Sequence, residues 1–249
     1  MLSASALLHG FDFLFMEGAA RLCDRLEDIK RTFSSGLDFG CHGGEVAAAL
    51  PPGKVDTLIQ ADLAPNMVTR ARQVSGQPGL VCDEEALPLG VGTLDLVMSN
   101  LSLHWVNDLP GALSQSRMAL KPDGLFLGAI FGGETLHELR DALAAAEIEL
   151  EGGLSPRVSP FADVRDLGSL LQRAGFALPV VDADARDAAP EPAAAATGAS
   201  DDELAQRAMP MPSATTRRPP PAISAIFSCL ASGPARNDRA LDVPVEGLT

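Results

Sequence analysis

Basic side chains are scarce in this chain of 249 residues: 19 Lys and Arg stand against 33 Asp and Glu, for a formal net charge of −14. A partner gripped through its phosphate backbone needs a basic face, so the balance argues against DNA or RNA. Cysteine is sparse as well. Cys23, Cys41, Cys82 and Cys229 lie far apart with no C-x-x-C, and His9, His42, His104 and His137 form no ligand spacing with them. Reduced thiols are expected, and no structural metal. No stretch of 18 apolar residues runs without charge, so no membrane span is expected. No Lys or Arg precedes Arg21 and Asp12 interrupts the mildly apolar start, which lacks the charged opening of a signal peptide. The expected address is the cytoplasm.

What is present is apolar material for one core: 46% of the residues are hydrophobic. Leu14, Phe15, Ala19, Leu22, Leu26 and Ile29 recur at spacings of three and four, which predicts an amphipathic helix over residues 11–32. An alternation follows: an apolar run to Asp38, a helix to Leu50, strand 57–62, helix 65–74, strand 80–83, strand 94–100, helix 109–120, strand 125–130 and helix 134–150. Helix 164–174 and strand 177–181 extend it. Strand, helix, strand in this order predicts an α/β fold, a parallel sheet with helices on both faces. Beyond Asp182 the chain turns to Ala and Pro, with runs AAPEPAAAA and RRPPPA and a single aromatic, Phe227. Residues 183–249 read as a low-complexity, disordered tail with one short ordered patch over 222–230.

The first chemical motif is Leu37-Asp38-Phe39-Gly40-Cys41-His42-Gly43-Gly44-Glu45, between a strand and a helix. Glycines let the backbone turn and approach a ligand, and a helix N-terminus offers free N–H groups, which suits a nucleotide-like molecule. A dinucleotide fingerprint needs glycine at the first, third and sixth places. From Gly40 those places hold Gly40, His42 and Glu45, so hydride transfer on a dinucleotide is disfavoured. Asp62 closes the second strand 18 residues after Gly44, where a carboxylate either accepts from ribose hydroxyls or caps the helix beginning near Pro65. Asp83-Glu84 closes the third strand, as a ligand reader or as a solvated turn. The segment Asn100-Leu101-Ser102-Leu103-His104-Trp105 follows a buried strand at the carboxyl edge of the sheet, where ligands of such sheets lie. Asn100 and His104 are the candidate catalytic residues. His104 is equally explained as a histidine packed beside Trp105, and packing is the expected role of Trp105.

The form L-D-x-G-C-x-x-G resembles motif I of class I S-adenosylmethionine-dependent methyltransferases, and D-x-x-x-L-P from Asp83 to Pro88 resembles the same superfamily's adenine-reading turn. The resemblance implies a Rossmann-like methyltransferase domain over residues 33–182 behind an N-terminal helical cap, 1–32. It assigns Asp38 to the neighbourhood of the cofactor's amino group. It places Gly40, Cys41, His42 and Gly44 under the ligand, Asp62 with Leu63 at the ribose, and Asp83 with Glu84 at the adenine, Asn100 completing the set. This chain has His42-Gly43 where the superfamily most often has Gly-Thr. The longer stretches SNLSLHWVNDLP and SPRVSPFADVRDLG resemble the alphaproteobacterial and mitochondrial complex I assembly factor 5 family, itself similar to malonyl-carrier-protein O-methyltransferase. The match runs from about His9 to Asp182.

That family implies a methyl acceptor that is a small molecule or carrier-bound acyl group, or else modification of a complex I subunit by arginine hydroxylation. A noncatalytic remnant is the third reading, suggested by the tail. A carboxylate acceptor needs no base, whereas a hydroxyl or carbon nucleophile wants one such as His104, whose ordinary pKa of about 6.5 suits neutral pH. The segment 152–160 is a candidate substrate lid, in which Arg157 either pairs an anion or is solvated. The carboxylates of helix 134–151 read as a solvated face. Where the family continues into a further strand this chain has its Ala/Pro tail. A shifted frame or truncation is expected there, leaving the sheet without its last antiparallel strand or with that strand altered.

Overall fold

The computed structural model describes residues 12–133, 135–158, 161–187 and 221–231. Its elements in chain order are α1 (Phe13–Glu27), β1 (Phe33–Phe39), α2 (Glu45–Ala49), β2 (Val55–Asp62), α3 (Pro65–Ser75), β3 (Gly79–Val81), β4 (Leu94–Asn100), a 3-10 turn (Leu103–Trp105), α4 (Leu109–Ala119), β5 (Leu120–Phe131), α5 (His137–Glu151), α6 (Val164–Arg173), β6 (Phe176–Asp187) and β7 (Pro221–Ala231). The helix boundaries have local causes. Proline at the first turn opens α3 and Gly76, in the left-handed region, ends it. Asp108 caps α4 by accepting from Gly111 N. Asp163 does the same for α6 through Arg165 N.

The strands form one sheet in the order β3-β2-β1-β4-β5-β7-β6. The first five are parallel, as expected. β4 and most of β5 are buried on both faces, the pattern of central parallel strands. One hydrophobic cluster gathers Leu37, Phe39, Val97, Leu113, Phe126, Leu167 and Leu171, uniting the sheet with α4 and α6. Another gathers Ala19, Leu22, Leu26, Val46, Leu96, Met98 and Leu127, uniting it with α1 and α2.

At the C-terminus the short ordered patch expected over 222–230 falls in a strand, and the expectation of a missing last antiparallel strand is corrected. β6 runs on to Asp187, past the boundary drawn at Asp182, and residues 221–231 form β7, which lies antiparallel between β5 and β6. The last antiparallel strand is therefore present. Its core, Ile-Ser-Ala-Ile-Phe-Ser-Cys-Leu over 223–230, supplies the β-branched and aromatic content that the flanking Ala and Pro conceal in a compositional reading. Residues 1–11, which include His9, lie outside the described residues, as do 188–220 and 232–249, so the disorder expected of the tail is not addressed there. Among the described residues no helix is long and apolar enough to cross a membrane.

The register sets the site. Asp38 pairs with Gln60 on one side and Met98 on the other, Phe39 with Ala61, and Asn100 with Ala129. The carboxyl ends of β1, β2, β4 and β5 thus stop at one level. Chain order reverses between β1 and β4, which makes the crevice above them the switch point of an open α/β sheet.

Candidate functional site

The loop after β1 is shaped by glycine at two places. Gly40 has φ +75°, and a Cβ there would fall 2.0 Å from Ser102 Oγ; Gly44 has φ +91°, and its Cβ would meet the Ala71 backbone at 3.0 Å. No larger residue fits either position without displacement. The loop's N–H groups are largely engaged: Gly40 N and Cys41 N both donate to Ala61 O, at 2.9 and 2.8 Å, and Gly44 N to Cys41 O at 2.8 Å. Gly43 N donates to Glu45 Oε2 at 3.0 Å. The helix that follows is five residues, ending at Ala49, one short of the Leu50 expected.

Asp62 organises the loop from the neighbouring strand. Its two carboxylate oxygens accept from His42 N at 3.0 Å and from Ala64 N at 2.8 Å, an Asx-type turn ahead of α3; the expected helix cap is not made, since α3 has Ala64 at its N-cap and no side-chain cap bond. A carboxylate has about four lone-pair sites, which leaves acceptors for a diol. Leu63 beside it is exposed.

Asp38 is the electrostatic anomaly. Its side chain is fully buried and neither oxygen has a hydrogen-bond donor among the described residues. Burial first, then the charges of Glu45 and Asp62, push its carboxyl well above the usual range. A buried carboxylate without donor or cation is costly, and a ligand bearing an ammonium group would supply both.

Asn100, a catalytic candidate, is tied elsewhere. Its Nδ2 donates to Phe15 O of α1 at 2.8 Å, and Gly18 packs so closely that a Cβ there would lie 2.4 Å from Asn100 Oδ1. The side chain thus seats α1 on the end of β4. Its main-chain oxygen accepts from His42 Nε2 at 3.1 Å, and the His42 ring lies 4.4 Å from that of Phe15. A carbonyl only accepts, so His42 carries its proton on Nε2. The backbone of His42 is left-handed, φ +46°. Phe15 and Gly18 are site features that helical spacing alone reads as packing, whereas the His42 ring, expected under the ligand, turns to Asn100 and Phe15.

His104 sits among aromatics, 4.7 Å from Phe131, 5.0 Å from Trp105 and 6.3 Å from Phe161 by ring centroid. Its Nδ1 is buried with no partner among the described residues. Burial, helped by the nearby His42, pushes its pKa down to about 4. The ordinary value assumed from sequence is corrected: His104 is neutral at pH 7 but a weak base. Packing of Trp105 is corrected too, for the ring is 73% exposed.

Asp83 faces solvent, with Oδ1 accepting from Glu85 N at 2.8 Å, as a turn residue does. Glu84 is the one brought to the loop. Ser102 Oγ donates to it at 3.1 Å, and a Cβ on Gly40 would lie 3.3 Å from its Oε1. Burial raises its pKa, against the bonds it accepts. Ser102 therefore fills the space Gly40 leaves open. Gln60, fully buried with Nε2 unpaired among the described residues, lies beneath Gly44; a polar residue set between Ile59 and Ala61 was the sequence signal for it.

The α5 face is not simply solvated. Glu147 is buried, pairs with the Arg157 guanidinium and accepts from Ser155 N at 2.8 Å, fastening the candidate lid to the helix. Arg157 is thus paired within the protein while half of its side chain stays exposed. A cavity of about 340 Å³ lies between α5 and this loop, lined by Arg140, Leu143, Leu154 and Arg157.

With the crevice, the paired glycines and the carboxylates at strand ends in place, likenesses to known proteins can be set beside them. Residues 37–128 match the family described as Methyltransferase domain. The chain has the Rossmann-like fold of class I methyltransferase domains. It is 50% identical over 175 residues to the human mitochondrial arginine-hydroxylase NDUFAF5, covering 70% of this chain and 51% of that protein. It is 39% identical over 173 residues to the malonyl-[acyl-carrier protein] O-methyltransferase of Halorhodospira halophila, covering 68% of this chain and 57% of that one. The chain thus spans about half the length of these relatives. In structure, a chain of the Haloferax volcanii complex between the Trm112 methyltransferase activator and a methyltransferase matches with TM-score 0.64 at 16% identity, over 92% of this chain and 96% of that chain. An S-adenosylmethionine-dependent methyltransferase from Thermotoga maritima matches with TM-score 0.59, also at 16% identity, over 91% and 96%. At such identities the structural matches bear on the fold of the methyltransferase domain alone.

Proposed function

We propose that the domain binds S-adenosylmethionine and transfers its methyl group to an ionised oxygen of a small or carrier-bound acid. The observation that carries the cofactor is Asp38, a buried carboxyl at the end of β1 with no donor and two acidic neighbours. The cofactor's ammonium answers that deficit. Gly40 and Gly44 leave room for close approach, Asp62 has lone pairs for ribose hydroxyls with the exposed Leu63 beside it, and Glu84 and Asp83 are the proposed adenine readers.

When bound, the cofactor supplies an electrophilic methyl group, so the protein's task is orientation and exclusion of water. Phe131, Phe161 and His104 form an apolar wall beside the strand ends for that purpose. A pKa of about 4 makes His104 a poor acceptor for a hydroxyl proton, since a general base works best with its pKa near the working pH. An acceptor that arrives ionised, such as a carboxylate, needs no such help. Asn100 is proposed to act through position, seating α1 on the site.

Calorimetry with S-adenosylhomocysteine and with NAD tests the cofactor. Heat with the first and none with the second is expected, and folded protein silent to the first overturns the proposal. Methylation of a malonyl-loaded carrier protein then tests the acceptor. A second reading rests on the 50% identity to the human arginine-hydroxylase: modification of a complex I subunit. Mass spectrometry of complex I from a strain lacking this chain separates the two, because only the second predicts a subunit short of one oxygen.

A further inference from the structure

We propose that His42 is a positioning residue that couples occupancy of the cofactor loop to the seating of α1 over the site. The inference rests on the S-adenosylmethionine reading above and goes beyond it, because it concerns a side chain on the cofactor loop that points away to other elements.

Three elements meet at this ring. Its backbone N–H donates to Asp62, its Nε2–H donates to the main-chain oxygen of Asn100 at the end of β4, and its face lies against Phe15 of α1. The circuit closes without it, since Asn100 Nδ2 donates to Phe15 O and Gly18 rests on Asn100 Oδ1. His42 thus makes the link from this α1–β4 joint to the loop. It does so from a left-handed backbone that residues with a Cβ seldom adopt, at a position where glycine would be unstrained. A residue held there against its own preference is held for its ring. The next chain position after Asn100, Leu101, is left-handed as well, φ +49°, so both segments that the ring joins are conformationally set.

A ligand that orders residues 40–44 must therefore order the ring, and the ring orders Phe13–Glu27. The acceptor pocket, bounded by the end of β4, is completed only when α1 is down. His42 does not touch the reacting atoms in this scheme.

The test is hydrogen exchange on the full chain with and without S-adenosylhomocysteine, alongside calorimetry. In wild type, ligand should increase protection across Phe13–Ala20. In His42→Ala the ligand should bind about five- to ten-fold more weakly, the worth of one buried hydrogen bond, and α1 should exchange alike with and without it. His42→Gln, whose amide also donates, should restore most of the coupling. Phe15→Leu, which leaves the loop intact, should give the same uncoupling if His42→Ala does not fold. Unchanged α1 protection in wild type on binding, or a full wild-type response in His42→Ala or, in its place, in Phe15→Leu, overturns the inference while sparing the cofactor reading. Absence of heat with wild type overturns both.

Discussion

Asp38→Asn separates the two consequences of a buried, donor-free carboxyl. In the cofactor-free protein Asp38 is fully buried beside Glu45 and Asp62, and its pKa is raised by burial first and by those charges second. The folded chain therefore holds a proton that the unfolded chain releases above its ordinary aspartate value of about 3.9. Between that value and the raised folded one, stability must fall as pH rises, by up to about 1.4 kcal/mol per pH unit for one proton. Below about 3.9 the loss is absent, and above the folded value it is constant. Asparagine keeps the shape without the titration, so the variant should show a flatter dependence. Urea denaturation of both proteins at pH 5 and pH 7.5, without cofactor, gives the difference directly; Glu84, also raised by burial, cancels between them. The same change should weaken S-adenosylhomocysteine binding by about ten- to a hundred-fold, the worth of a hydrogen bond to a charged partner. Parallel pH profiles for the two proteins would refute the electrostatic reasoning, whatever happened to binding.

Three further outcomes are expected. His104, with its pKa pushed down to about 4, should show an NMR titration midpoint near that value and no chemical-shift change from pH 6 to 8; a midpoint near an ordinary histidine would contradict the burial argument. Gly40→Ala should lose about 2 kcal/mol or more of stability in thermal melts, because its Cβ would fall 2.0 Å from Ser102 Oγ at a left-handed φ, and adding Ser102→Gly should recover part of it; an unchanged midpoint would show the loop to be soft. Glu147→Gln should release the loop around Ser155 and Arg157, read as faster tryptic cleavage after Arg157. Stability should change little, since Arg157 is half exposed, and unaltered cleavage would mean that the pair does not hold the loop.

The order of elements was legible because its signals are local. Apolar runs, period-3.6 hydrophobicity, glycines after β1 and carboxylates at the end of β2 and just past β3 all survive in the one-dimensional chain. Leu94–Asn100 and the start of α3 at Pro65 were placed to the residue for that reason. At β7 composition showed a short ordered patch but neither the strand nor its partners. A strand of eleven residues flanked by long Ala/Pro stretches is averaged away by any window wide enough to measure low complexity, and its partners, β5 and β6, lie far off in sequence.

The sequence by itself determined the parallel sheet, the glycine loop and the kind of ligand the loop suits, because turn chemistry and strand-end acids depend on neighbours a few residues away. Only the tertiary structure decided what each side chain is left to do. Burial turned Asp38 into an unpaired carboxyl and His104 into a weak base, and brought Glu84 rather than Asp83 to the loop. It also spent the Asn100 amide on α1 and left Trp105 in solvent. Desolvation and hydrogen-bond partnership are set by whatever packs from across the fold, and no local pattern encodes them.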